Sequence, residues 1–253
     1  MIELTRRGKV AVLTLSRPPV NALDAELLGH INRALDELEK DNSWSVLHIR
    51  SSQKVFVAGA DIAYMRGMMD QPEPGKLMAA YLDPFQGAFA RIEALPQVVV
   101  AEINGAALGG GFELALSCDL RFAAEEAKLG LPELTLGLIP GAGGTQRLTR
   151  ICGRGTAARI IYGAEPVDGK TALELGMVQW ACPRAELEEK CRTLVDRISE
   201  LPAGAMKAAK HLVHAFEDPK VDGFKLEIDY AAKLVATEDA RRQMDAFLNK
   251  SKK

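Results

Sequence analysis

Short runs rich in Val, Ile and Leu recur up to residue 181 with helical periods between them, and this alternation restricts the fold more than any other feature. The runs cover residues 10–15, 45–50, 98–104, 120–123 and 177–181. Strands separated by helices pair in parallel through crossovers, so an α/β body around a parallel sheet is expected. Leu28, Ile31, Leu35 and Leu38 share one face behind Asp24, a capping residue, which marks a helix packed on that sheet. Beyond residue 181 the strand signal ends. Leu187, Cys191, Leu194, Val195 and Ile198 form one helical stripe, and Ala240, Met244, Phe247 and Leu248 form another, behind a helix start at Thr237-Glu238-Asp239. An all-helical end is therefore expected. Residues 70–76, with Pro72, Pro74 and Gly75, read as an exposed loop, and residues 250–253 as a solvated tail.

A chain of 253 residues can bury a large core without disulfides or metal staples. Thirty-two basic against thirty-four acidic residues leave a net charge of −2, which gives no electrostatic footprint for nucleic acid or an anionic membrane. The best apolar run, Val98-Val99-Val100-Ala101, stops at Glu102, far short of a membrane span. Residues 1–20 alternate apolar and polar and carry Arg6, Arg7 and Lys9 where an export signal needs a continuous apolar stretch. Cys118, Cys152, Cys182 and Cys191 form no C-x-x-C pair, so reduced, buried thiols and a cytoplasmic setting are expected.

Several motifs fail on inspection. Gly169-Lys170-Thr171 resembles the end of a phosphate-binding loop, but residue 164 is alanine where its first glycine belongs. Gly141-Ala142-Gly143 opens a dinucleotide fingerprint that ends wrongly at Gln146. His211 and His214 share a helical face with no acid or thiol to complete a metal set, so no metal site is expected.

The informative block is residues 98–148. A strand ends at Asn104-Gly105, and Gly109-Gly110-Gly111 then leads into a helix, so a ligand can approach unpaired backbone N–H groups closely. Such a place can stabilise an oxyanion, or it can simply be a tight strand-to-helix crossing. Glu113 follows in an apolar window, and Glu133 sits behind Pro132 in another. Two carboxyls close together in a low dielectric cannot both ionise easily, which is the signature of an acid and base pair.

These residues resemble the crotonase, or enoyl-CoA hydratase/isomerase, superfamily. The likeness runs through Arg17-Pro18, Asn21-Ala22-Leu23, Ala58-Gly59-Ala60-Asp61-Ile62, the glycine block, Pro132-Glu133, residues 139–148 and Thr237-Glu238-Asp239. The resemblance implies a spiral of ββα turns as a catalytic core over residues 1–195, and a C-terminal helical trimerisation region over 196–253, with trimers or hexamers. It implies an oxyanion hole from the amides of Ala60 and Gly110. It makes Glu113 and Glu133 the pair that adds water across the double bond of a 2-enoyl-CoA; family isomerases keep an acid at the Glu133 position but not at Glu113. Contacts to substrate and coenzyme A are implied at Val20, Ala22, Ala58, Asp61, Ile62, Gly109 and Pro132. Coenzyme A enters as part of the substrate, and the chemistry needs no metal or redox cofactor. Pro19-Val20 and Ala63 stand where many relatives carry lysines. Isomerisation or other acyl-CoA enolate chemistry is the alternative, and a non-catalytic binding protein a distant one.

Overall fold

Gly8, in a left-handed conformation with φ of 57°, turns the chain between β1 (Ile2–Arg7) and β2 (Val10–Leu15). The two strands pair antiparallel, with Arg7 opposite Val10. β1 is absent from the expected strands because it is an exposed edge with no apolar run. The computed structural model describes residues 1–250, so the expected tail lies outside the described residues, apart from the backbone of residue 250.

In chain order the remaining elements are α1 (Ala25–Glu39), β3 (Val46–Ser51), α2 (Ile62–Met68), α3 (Pro74–Ala94), β4 (Val98–Ile103), β5 (Ala107–Leu108), α4 (Gly110–Leu116), β6 (Leu120–Ala124) and β7 (Lys128–Gly130). A single 3₁₀ turn (Glu133–Leu136) precedes α5 (Gly144–Tyr162), β8 (Val167–Asp168), α6 (Gly169–Glu174), β9 (Trp180–Cys182), α7 (Arg184–Ser199), α8 (Ala203–Ala215), α9 (Gly223–Val235) and α10 (Glu238–Lys250).

The larger sheet runs β1-β2-β3-β4-β6-β9, parallel throughout except at the β1–β2 hairpin. The smaller runs β5-β7-β8, extended by a parallel bridge from Val57 to Ala107. The chain therefore visits the large sheet, then the small one, then a helix, and repeats: β4-β5-α4 is one such turn. This is the expected ββα spiral.

α1 forms where the stripe predicts it. Asp24 accepts from the Leu27 amide at 2.9 Å, and Leu28, Ile31, Leu35 and Leu38 are buried. The expected loop at 70–76 is shorter, because Pro74 starts α3; proline is tolerated there since a first-turn N–H has no helical partner anyway. The last expected strand is shifted to Trp180–Cys182, with Met177 and Val178 buried in the turn before it. α7 lies across the large sheet with the predicted stripe from Leu187 to Ile198 facing inward. A boundary after residue 195 falls inside α7, and the chain breaks helix only at 200–202.

α8 stays on the body, where Lys210 donates to the Gln97 carbonyl at 3.0 Å and to Asp119 at 2.8 Å, and α9 and α10 follow it. No residue of α9 is buried, and Phe216, Phe224 and Ile228 are 92%, 85% and 70% exposed. Thr237 caps α10 through the Ala240 amide at 3.2 Å. No helix among the described residues is long and apolar enough to cross a membrane.

Candidate active site

The glycine triplet is placed by close backbone packing. A Cβ on Gly111 would collide with the Val57 carbonyl oxygen, so α4 can seat against the preceding turn of the spiral only with glycine there. Gly109 has φ of 52°, and its amide donates to Gly130 at 3.0 Å. The Gly110 amide is the first of α4 and has no partner within the helix.

Across from it, the segment 58–61 is bound to Leu23. Leu23 N–H donates to the Gly59 carbonyl at 2.9 Å, and Asp61 N–H donates to the Leu23 carbonyl at 3.3 Å. These neighbours carry the bridge, which turns the Ala60 N–H the other way. A Cβ on Gly110 would lie 4.0 Å from the Ala60 nitrogen and 3.9 Å from Glu113 Oε2, so both amides and one carboxylate oxygen converge.

Glu113 is 3% exposed. Its Oε1 accepts from the amides of Ala142 at 2.8 Å and Gly144 at 2.7 Å, which leaves Oε2 toward the cavity. Glu133 opens the 3₁₀ turn on the other side of the triplet, with Oε1 against Gly109 and a buried Oε2 that has no hydrogen-bond partner. Burial pushes the Glu113 carboxyl up to about 7, with the neighbouring Glu133 charge adding to the rise, while the two amides and Arg147 oppose it. Burial also raises Glu133. Two neighbouring carboxyls, both raised by burial, are equipped to pass protons between water and a bound substrate.

These groups open on one cavity of about 250 Å³. Ala58, Ala60, Ile62, Gly109, Gly110, Glu113, Pro132 and Glu133 all line it. Val20, Ala22 and Asp61 do not. The Val20 carbonyl accepts from the Ala58 amide at 3.1 Å, so it braces the wall from behind. The Ala22 carbonyl accepts from Arg17 at 2.6 Å. Asp61 caps α2 by accepting from the Tyr64 amide at 3.0 Å, a structural duty that its place in the motif hides.

Sequence reasoning missed the far wall, made by Tyr81, Leu82 and Phe85 of α3. The spacing Tyr81, Phe85, Phe89 and Ile92 was the available signal. The Tyr81 hydroxyl donates to the Leu23 carbonyl at 3.1 Å, and burial pushes it up to about 12, so it stays protonated. The grip of Ala142 and Gly144 on Glu113 was missed as well, because it is made by backbone amides that residue type does not reveal.

The family model described as enoyl-CoA hydratase/isomerase matches residues 5–253. The chain is 40% identical over 245 residues to a probable enoyl-CoA hydratase of Bacillus subtilis, covering 96% of this chain and 93% of the relative. It is 38% identical over 256 residues to a crotonyl-CoA hydratase of Syntrophomonas wolfei, covering 99% and 96%. Among solved structures, an enoyl-CoA hydratase from Bacillus anthracis superposes with a TM-score of 0.89 at 33% identity, over 98% of this chain and 96% of the other.

Proposed function

The chain belongs to the enoyl-CoA hydratase/isomerase family, and from that premise we propose which of its residues add water to a 2-enoyl-CoA. It is an enoyl-CoA hydratase, giving a 3-hydroxyacyl-CoA. The observation that carries the residue assignment is the convergence of Glu113, Glu133 and the Ala60 and Gly110 amides on one apolar cavity.

The thioester carbonyl oxygen accepts from the amides of Ala60 and Gly110. Attack at C3 pushes charge onto that oxygen, and fixed donors away from water stabilise the enolate as it forms; losing one such donor costs about 3–4 kcal/mol of barrier. Glu113 Oε2 takes a proton from water as the oxygen bonds to C3. Glu133 delivers a proton to C2 as the enolate collapses. The net change is one water added; the proton gained by Glu113 and the one lost by Glu133 re-equilibrate before the next turnover. Pinning Oε1 with two amides leaves a single oxygen free to work and fixes its direction.

Ala58, Ile62, Gly109 and Pro132 contact the bound thioester in this scheme, and Val20, Ala22 and Asp61, which lie outside the cavity lining, contact the coenzyme A portion. Coenzyme A is carried as part of the substrate, with no further cofactor. Residues 1–195 with the rest of α7 form the catalytic body. The helices after it, with Phe216, Phe224 and Ile228 presented outward, assemble a homotrimer or homohexamer. Four unpaired cysteines support a reducing, cytoplasmic compartment.

The test is loss of the conjugated-thioester absorbance when wild type, Glu113→Gln and Glu133→Gln are each given a panel of 2-enoyl-CoAs, with products weighed by mass spectrometry. Gain of one water by wild type, lost in both variants, is expected. Turnover without added water, or full activity in Glu113→Gln, would place the protein with the isomerases and leave Glu133 as the essential acid.

A further inference from the structure

The two amides that hold Glu113 belong to the turn at 141–144, and that turn rests on a buried arginine. Arg147, in the first turn of α5, is 8% exposed. Its Nη1 donates to the Ala142 carbonyl at 3.0 Å, while Nε and Nη2 donate to Glu93 Oε2 at 3.1 and 3.0 Å. Ala142 is thus clamped on both sides, its carbonyl by Arg147 and its N–H by Glu113. Glu93 lies in the last turn of α3, so the guanidinium fork ties that helix to the catalytic turn. A Cβ on Gly143 would strike Arg147 Nη1, so the turn backbone lies directly on the guanidinium.

We propose that Arg147, braced by Glu93, is the positioning residue that fixes the Ala142 and Gly144 amides and thereby aims the Glu113 carboxylate at water. The inference rests on the assignment of Glu113 as the base. Arginine suits this because separate nitrogens on one rigid plane reach the two partners, Nη1 the Ala142 carbonyl and Nε with Nη2 the Glu93 carboxylate, where a lysine offers a single nitrogen on a flexible stem. The ionisable groups around Glu113 are Glu133 from the 3₁₀ turn, Arg147 from α5 and the Tyr81 hydroxyl from α3; of the charged ones, only Arg147 opposes the rise of the Glu113 carboxyl. Behind Arg147, on the side away from the substrate, a second cavity of about 350 Å³ reaches α8 between Leu116, Arg150 and Lys210. A small solute can therefore reach the place of the guanidinium without crossing the active site.

The experiment follows the Glu113 carboxyl of the unliganded protein by carbon NMR across pH, assigned with Glu113→Gln, and measures kcat and KM, in wild type, Arg147→Ala and Arg147→Lys. Arg159→Gln, which breaks an exposed ion pair with Glu165 further along α5, is the control and matches wild type. Arg147→Ala is expected to raise the Glu113 midpoint by about one pH unit and to lower kcat by on the order of 10² with little change in KM. Methylguanidinium restores part of kcat. Arg147→Lys keeps the charge and the midpoint but loses kcat, and it carries the test alone if the alanine variant does not fold. An unmoved midpoint with unchanged kcat in Arg147→Ala, or Arg147→Lys indistinguishable from wild type, overturns the proposal. Failure of wild type to hydrate any 2-enoyl-CoA would sink the base assignment instead, while the NMR midpoint would still report whether Arg147 governs that carboxyl.

Discussion

Glu102 and Glu113 are each 3% exposed, eleven residues apart in the sequence, and tuned in opposite directions. Burial pushes both up. At Glu102, on the face of β4 beneath α7, this is overcome by His48, whose Nε2 lies 2.9 Å from Oε2, and by the nearby Arg50 charge, so the carboxyl ends below its usual range. At Glu113 the amides and Arg147 offset burial only in part, a second carboxyl works against them, and the group ends at about 7. The difference teaches that depth alone does not make a base. Neighbours fix Glu102 as an anion for the core, and the near-absence of compensating charge leaves Glu113 exchangeable.

The largest effect expected is catalytic. Glu113→Gln should lower kcat by about 10³-fold, while Glu102→Gln leaves kcat near wild type in the same absorbance assay. Comparable losses in both would erase the contrast. Next comes stability at pH 7 in urea. Glu102→Gln removes the buried carboxylate beside His48, while Arg50 keeps its pairing to Glu188, and should cost about 1–3 kcal/mol.

Glu113→Gln should do the reverse and stabilise the fold at pH 8 by about 2 kcal/mol. A folded carboxyl raised above its unfolded value binds more protons than the unfolded chain between about 4.5 and about 7, so wild-type stability falls as pH rises through that window. Glu102 has the other sign: its contribution is present above the unfolded value and is lost as pH falls through the lowered folded one. A Glu113→Gln variant less stable than wild type at pH 8 would contradict the assignment of a strained, functional carboxyl.

The smallest effect is the acidic limb of the kcat/KM profile. It should fall tenfold per unit below about pH 7, and be absent in the residual activity of Glu113→Gln.

Much of this was legible in the sequence, for physical reasons that differ by element. β2, β3, β4, β6 and α1 bury continuous or striped apolar faces, which leave a periodic trace. β5, β7 and β8 are two or three residues long and carry none, so the second sheet was visible only through family resemblance. The glutamates and the glycine triplet were readable because their side chains, or lack of them, do the work. The turn that holds Glu113 was not, since backbone amides leave no mark on residue type. The capping role of Asp61 was not read, because a helix cap and a ligand contact ask for the same side chain.

The seat of Gly111 on the Val57 carbonyl has a consequence for inheritance. The gap between the segment carrying Ala60 and the helix carrying Gly110 is gauged by peptide atoms, which every substitution leaves in place. Leucines and valines around it can be exchanged over generations without widening that gap. A lineage can thus remodel the acyl pocket freely while the part that polarises the thioester is copied unchanged, provided one hydrogen atom at position 111 is never replaced by carbon.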